Sequence, residues 1–159
     1  MLGCLWWYEG GSGHEGLGYA ALALALWRVA LGWRSRSPQV RFAGFVRAPA
    51  ATWAYARAVT ACREPRHLGH NPLGGWMIVA LLATAVVAGA SGALYATDRF
   101  WGDAVVHAVH SVAGWALALL LPLHLGGVAL SSWRHRENLV AAMLGGHKRP
   151  PAPGDVDLG

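Results

Sequence analysis

The sequence predicts an all-α integral membrane protein, a bundle of transmembrane helices, and three observations carry that prediction. Of the 159 residues, 55% are hydrophobic and only 13% are charged, where soluble domains carry roughly 25% charged residues. Such a chain lacks the polar surface to cover itself in water. Three stretches are long and apolar enough to cross a bilayer core, which takes about 20 residues as a helix. The charges, finally, are concentrated in the segments that flank those stretches.

In chain order, Met1–Tyr8 (MLGCLWWY) is apolar but too short to span, and reads as the tail of a helix whose beginning is absent. The first span is expected over Leu17–Trp33, interrupted only by Arg28. Pro49–Ala61 follows, with Pro in the first turn and Trp53 and Tyr55 among alanines. It reads as a short amphipathic helix lying at the cytoplasmic membrane surface. The second span is expected over Leu73–Ala96, rich in Ala, Val and Gly and free of charge. The third covers Ala104–Leu130 and carries His107, His110 and His124. Pro122 lies inside it as a kink, which membrane helices tolerate. Residues 1–148 are thus expected to form one membrane domain, and the Pro-rich residues 149–159 a disordered tail.

The connections set an orientation. Arg34, Arg36, Arg41, Arg47, Arg57, Arg63 and Arg66 stand between the first two spans against the single acid Glu64. Arg134, Arg136, Lys148 and Arg149 follow the third span. By the positive-inside rule both segments, and with them the C-terminus, are expected in the cytoplasm. The opposite side carries Glu9, Glu15, Asp98, Arg99 and Asp103, with Trp6, Trp7, Phe100 and Trp101 as interfacial aromatics. A formal charge of +5 could suggest nucleic acid, but a nucleic-acid binder gathers its cations along one face. Here they flank the apolar runs. Cys4 and Cys62 are far apart, without a CxxC partner or clustered histidine, and carry no metal or disulfide signal.

Ionisable residues at membrane depth are functional candidates by default. His110 and His124 are separated by fourteen residues, which leaves them about 40° apart around a helix axis and about 21 Å apart along it. One imidazole then lies near each side of the hydrocarbon core. That placement suits two stacked haems in a four-helix bundle, each taking one axial ligand from this helix and one from another. His14 precedes the first span on the outer side, at the depth of His110, so the two are expected to grip one iron from opposite faces. Gly18 and Gly114, each one turn beyond its histidine, leave room for a flat porphyrin. For His124 the partner is His70, a residue outside this chain, or a backbone carbonyl. His107 is expected at headgroup level or beside a propionate. His67, His135 and His147 read as solvated surface side chains.

At these residues the chain resembles the bacterial cytochrome b561 family, which is itself similar to the b-type cytochrome subunits of nickel–iron hydrogenases. The resemblance rests on HEGLGYAALALALWRVALGW, RFAGFVRAP, LGHNPLGGWM, HSVAGWALALLLPLHLGGV and SSWRHRENLVAAMLGGHKR, in that order, from His14 to Arg149. It implies a four-helix b-type cytochrome of the bacterial inner (plasma) membrane, of which three transmembrane helices are present here. A complete member holds two haems b. His14 matches the ligand that opens the family's second helix, and His110 and His124 match two ligands on its fourth. His70 stands in the GHNP element at the start of the third, near haem or quinone. Arg28, the one charge within its span, is expected to face a haem propionate. The family's first helix, with the inner histidine that would partner His124, is missing except for Met1–Tyr8. The chain is therefore expected to be a fragment that holds one haem b.

The function this implies is electron transfer between a quinone/quinol pool (ubiquinone or another quinone) and a redox partner in a respiratory chain. The protein would be an electron carrier or a subunit of an oxidoreductase. Its expected partners are membrane lipid, quinone, a dehydrogenase or hydrogenase subunit, and a second copy of itself. An alternative is a membrane anchor subunit of such a complex without redox activity of its own. A transporter built on the histidines is disfavoured, because the spans contain no Asp or Glu.

Overall fold

The structure, a computed structural model, describes residues 12–145, 149–150 and 152–156. The readings made for Met1–Tyr8 and His147 lie outside the described residues. Among the described residues there are six helices: α1 (Ser12–Arg34), α2 (Phe42–Phe45), α3 (Pro49–Thr60), α4 (Pro72–Tyr95), α5 (Ala104–Arg134) and α6 (Leu139–Gly145). Gly13–Arg34, Pro72–Tyr95 and Ala104–Arg134 are long and apolar enough to cross a membrane. Each is apolar around its circumference and not along one stripe, as lipid-facing helices are. The protein is a helical, multi-pass membrane protein. α1 begins earlier than the apolar run, so His14 lies within its first turn beside Glu15, whose charge suits a helix N-terminus.

The chain divides into two compact units, and the three long helices contribute to both. The first contains residues up to Leu31 together with Val79–Leu121. Its core is made of small side chains: Ala25, Ala85, Ala88, Ala113 and the hydroxyl-bearing Ser91 are all buried. Small residues let helix backbones approach closely where lipid removes the hydrophobic drive for association. A Cβ at Gly89 of α4 would meet the Leu22 Cβ of α1 at 2.7 Å, which marks one such approach. Large apolar side chains point away from the core. Leu24 is 69% exposed and Trp115 73%, an arrangement suited to hydrocarbon and costly in water. The turn from α4 to α5 closes with Gly102 at φ 78°, and Asp103 caps α5 by accepting from the Val105 and Val106 amides, each at 2.9 Å.

The second unit contains Gly32–Ile78 and Pro122–Gly159. Phe45, 2% exposed, is its most buried side chain. Its ring meets Phe42 at 5.8 Å and His70 at 4.8 Å, and a Cβ at Gly75 would lie 2.6 Å from the Phe45 carbonyl. Asn71 caps α4 by accepting from the Gly74 amide at 2.7 Å, with Pro72 opening the helix. α3 buries Tyr55 and leaves Trp53 63% exposed with Arg57 over its ring. Burial pushes the Tyr55 phenol up from its ordinary value, and the Glu64 carboxylate adds to the rise.

Two arginines tie this unit together. Arg66 holds both Glu137 oxygens, at 2.8 and 3.0 Å, and also reaches Asp155 and the Arg149 carbonyl. The backbone beside it pairs with Val156 through bonds of 2.8 and 3.0 Å. Arg134 joins Glu64 at 2.7 Å and the Val59 carbonyl at 2.8 Å. Burial alone would raise the Glu64 carboxyl, but the bond from Arg134, a backbone hydrogen bond and the charges of Arg134 and His135 together hold the group below its ordinary value. The Ala152 amide does the same for Asp155, with Arg66 in support. His67, expected as a solvated side chain, is instead half-buried with its ring 5.1 Å from Tyr55.

Gly89→Ala is expected to cost about 1–3 kcal/mol through overpacking, read as a lower midpoint of thermal unfolding in detergent. Gly16→Ala, where nothing lies within 4 Å, should leave that midpoint unchanged or raise it. Stability should also depend on acid. Glu64 and Asp155 have folded-state values below their ordinary 4.5 and 3.8, so their contribution is present above those values and lost as pH falls through the lowered ones. Thermal scans between pH 7 and pH 3 should show a plateau that breaks only below about pH 4.5.

Candidate functional site

The site is built from the first unit. His14 sits in the first turn of α1 and His110 in the second turn of α5, and their ring centres are 5.9 Å apart with planes at 82°. Both rings are half-buried. The helices thus bring together the two imidazoles that chain order keeps 96 residues apart.

His110 is anchored through its Nδ1 by α4. Its Nδ1 lies 2.9 Å from the Ala88 carbonyl oxygen. A carbonyl only accepts, so Nδ1 carries a proton, and in a neutral imidazole Nε2 is then the nitrogen with the lone pair. This is the arrangement found behind metal-ligating histidines, where the second nitrogen donates to a backbone or carboxylate oxygen. The Ser91 hydroxyl is further from Nδ1, at 3.5 Å, and it bonds the Val87 carbonyl at 2.7 Å. Gly92 completes the seat: a Cβ there would stand 2.9 Å from His110 Cε1 and 3.1 Å from Nδ1.

Do these residues fit haem b? Metal–imidazole bonds are about 2 Å long, so two imidazoles on opposite sides of one ion have ring centres about 6 Å apart. The observed spacing is close to that. Perpendicular planes are compatible with it, because each ring can turn about the metal–nitrogen axis. At Gly18 and Gly114 an added Cβ would meet nothing within 4 Å, so the flanks next to both histidines are open. The donor set and the space fit.

The other sequence candidates lie elsewhere. Arg28 is half-buried in α1, fourteen residues beyond His14 and therefore about 21 Å along the axis, too far to serve this pair. His124 is half-buried on α5 in the second unit. Among the described residues no histidine ring stacks against it. His70 precedes α4 in the same unit, with its ring on Phe45, and nearby Trp76 donates to the Arg47 carbonyl at 3.0 Å. His107 is exposed and touches Tyr95 at 5.6 Å, which in turn meets Trp101 at 5.7 Å. An apolar groove of about 480 Å³ between α4 and α5, lined by Val87, Val109 and Val112 among others, offers no group to bind a metal.

Sequence reading missed Ala88, Ser91 and Gly92. A backbone carbonyl leaves no trace in residue identity, and Ser91–Gly92 looks like ordinary small-residue helix packing.

The sequence model of the prokaryotic cytochrome b561 family matches residues 4–146, nearly the whole chain. No curated protein and no solved structure matches it. A family match of that extent, together with three membrane-crossing helices, places this protein: the chain belongs to the prokaryotic cytochrome b561 family, membrane b-type cytochromes whose haem b serves electron transfer.

Proposed function

We propose that this chain carries electrons between a quinone/quinol pool and a redox partner, through haem b held by His14 and His110. The observation that carries the reading is the pair of imidazoles with ring centres 5.9 Å apart, one of them already oriented by a backbone carbonyl. Haem iron, when bound, supplies a one-electron couple at constant coordination. His14 and His110 would hold the iron through their imidazole nitrogens, and the protein would tune the couple and do no bond chemistry of its own. The small-residue core and apolar outer faces keep water from the site, which tunes the potential.

His124 is the ligand of a second, inner site that needs a partner from another chain or another segment. Arg28, the one charge within the span of α1, is read as a partner for a haem propionate. His70, on Phe45 and beside the first turn of α4, is the group to meet a quinone headgroup and take up its proton. The chain is read as lying in a bacterial plasma membrane with its arginine-rich segments in the cytoplasm. There it serves a dehydrogenase or hydrogenase subunit.

A dithionite-reduced minus oxidised spectrum of the purified protein should show about one haem b per chain, since among the described residues His14 and His110 are the two histidines whose rings meet. His14→Ala and His110→Ala should each abolish its low-spin signature. Two haems per chain would mean that His124 also holds one; none in the unsubstituted chain would sink the proposal. Orientation has its own test. Cys62 is exposed, so in a Cys4→Ser background a membrane-impermeant maleimide should label it in inverted vesicles and not in right-side-out ones.

A further inference from the structure

In an α-helix the carbonyl of residue i points along the axis toward the amide of residue i+4. Its second lone pair is open to the side only if the side chains at i+3 and i+4 leave the approach clear. At Ala88 these positions are Ser91 and Gly92. The serine hydroxyl folds back to the Val87 and Ala88 carbonyls, at 2.7 and 3.1 Å, and the glycine has no side chain. Through that gap His110 Nδ1 reaches the Ala88 oxygen at 2.9 Å. Glycine in the middle of a helix is disfavoured against alanine, so a close contact that excludes a Cβ gives it a local reason. The 2.9 Å approach of a hypothetical Cβ to His110 Cε1 supplies one.

From this geometry we infer that Gly92 is a positioning residue for the haem iron: it opens the Ala88 carbonyl to His110, and so sets the tautomer, orientation and donor strength of that axial imidazole. The inference rests on the reading of His110 as an axial ligand and goes a step beyond it. A donated Nδ1 proton makes the imidazole a stronger base and stabilises the ferric state. The carbonyl is the partner that does this and the Ser91 hydroxyl is not, because only the carbonyl is at hydrogen-bonding distance and obliged to accept. An alanine at 92 would turn the ring away from Ala88 and break the bond without touching either ligand.

The test is made on the full chain in detergent, with the midpoint potential of the bound haem and the ferric low-spin electron paramagnetic resonance as readouts. Gly92→Ala should move the potential to more positive values and shift the g values, while Ser91→Ala should leave both close to the unsubstituted protein. A haem-loaded Gly92→Ala with unaltered potential and g values overturns the inference, as does Ser91→Ala giving the larger shift. If Gly92→Ala loses haem while keeping its helicity and Ser91→Ala keeps both, the seat is supported. If Gly92→Ala fails to fold, the unsubstituted protein decides. The Nδ1 proton of the axial imidazole should persist in proton double-resonance spectra after brief exchange into D2O, and its immediate loss counts against the inference. A low-spin spectrum that survives His110→Ala defeats the ligand reading itself, a result distinguishable from any of these.

Discussion

A half-buried imidazole inside a helix bundle has two nitrogens to satisfy and little water to do it with. At His110 one nitrogen is taken by the Ala88 carbonyl, and that single bond constrains much around it. α4 and α5 must pass closely enough for a side chain on one to reach the backbone of the other. The surface of α4 must therefore be small at Ala88, Ser91 and Gly92, and the buried positions Ala88, Ser91 and Ala113 follow from the same demand. A polar group left unsatisfied there would cost on the order of 1–3 kcal/mol by mutational measures. Once the bond is made, Nδ1 is committed to α4, and the His14 ring lies 5.9 Å away, centre to centre.

Lipid explains why this packing looks so unlike that of a soluble domain. Burial of large apolar side chains is not what holds α1, α4 and α5 together, since hydrocarbon tails solvate leucine as well as a core does. Leu24 and Trp115 are turned outward for that reason, and the contacts between helices fall to alanine, glycine and serine. The Leu22–Gly89 approach and the His110–Gly92 approach use the same device for different ends. One is packing, and the other is a seat for a ligand.

The second unit answers to water and charge. Its basic residues look alike in the sequence but divide into two kinds. Arg66 and Arg134 are drawn into the structure by Glu137, Asp155 and Glu64, where bidentate geometry makes guanidinium the suitable cation. Arg34, Arg36, Arg41, Arg57, Arg63 and Arg136 remain exposed and carry the charge bias that orients a membrane protein. All three described acids of this unit are engaged by Arg66 or Arg134, so the exposed arginines keep their full positive field.

By itself the sequence determined the membrane character, the three spans to within a few residues of their ends, and the histidines worth watching. Each of these is encoded locally: apolar length reports a span, charge beside it reports a flank, and a histidine at a given register reports a depth. His14 and His110 were paired from their expected depth and the glycines one turn beyond each, and they lie together in the structure. What only the tertiary structure decided is how those rings are held. Ala88 contributes an oxygen that every residue type possesses, and Gly92 contributes the absence of a side chain. His67, read as solvated, is turned against Tyr55 because Arg66 beside it is pulled inward by carboxylates 71 and 89 positions away. Such contacts depend on which backbones come within a few ångströms of one another, a property of packed helices that no local pattern of residues records.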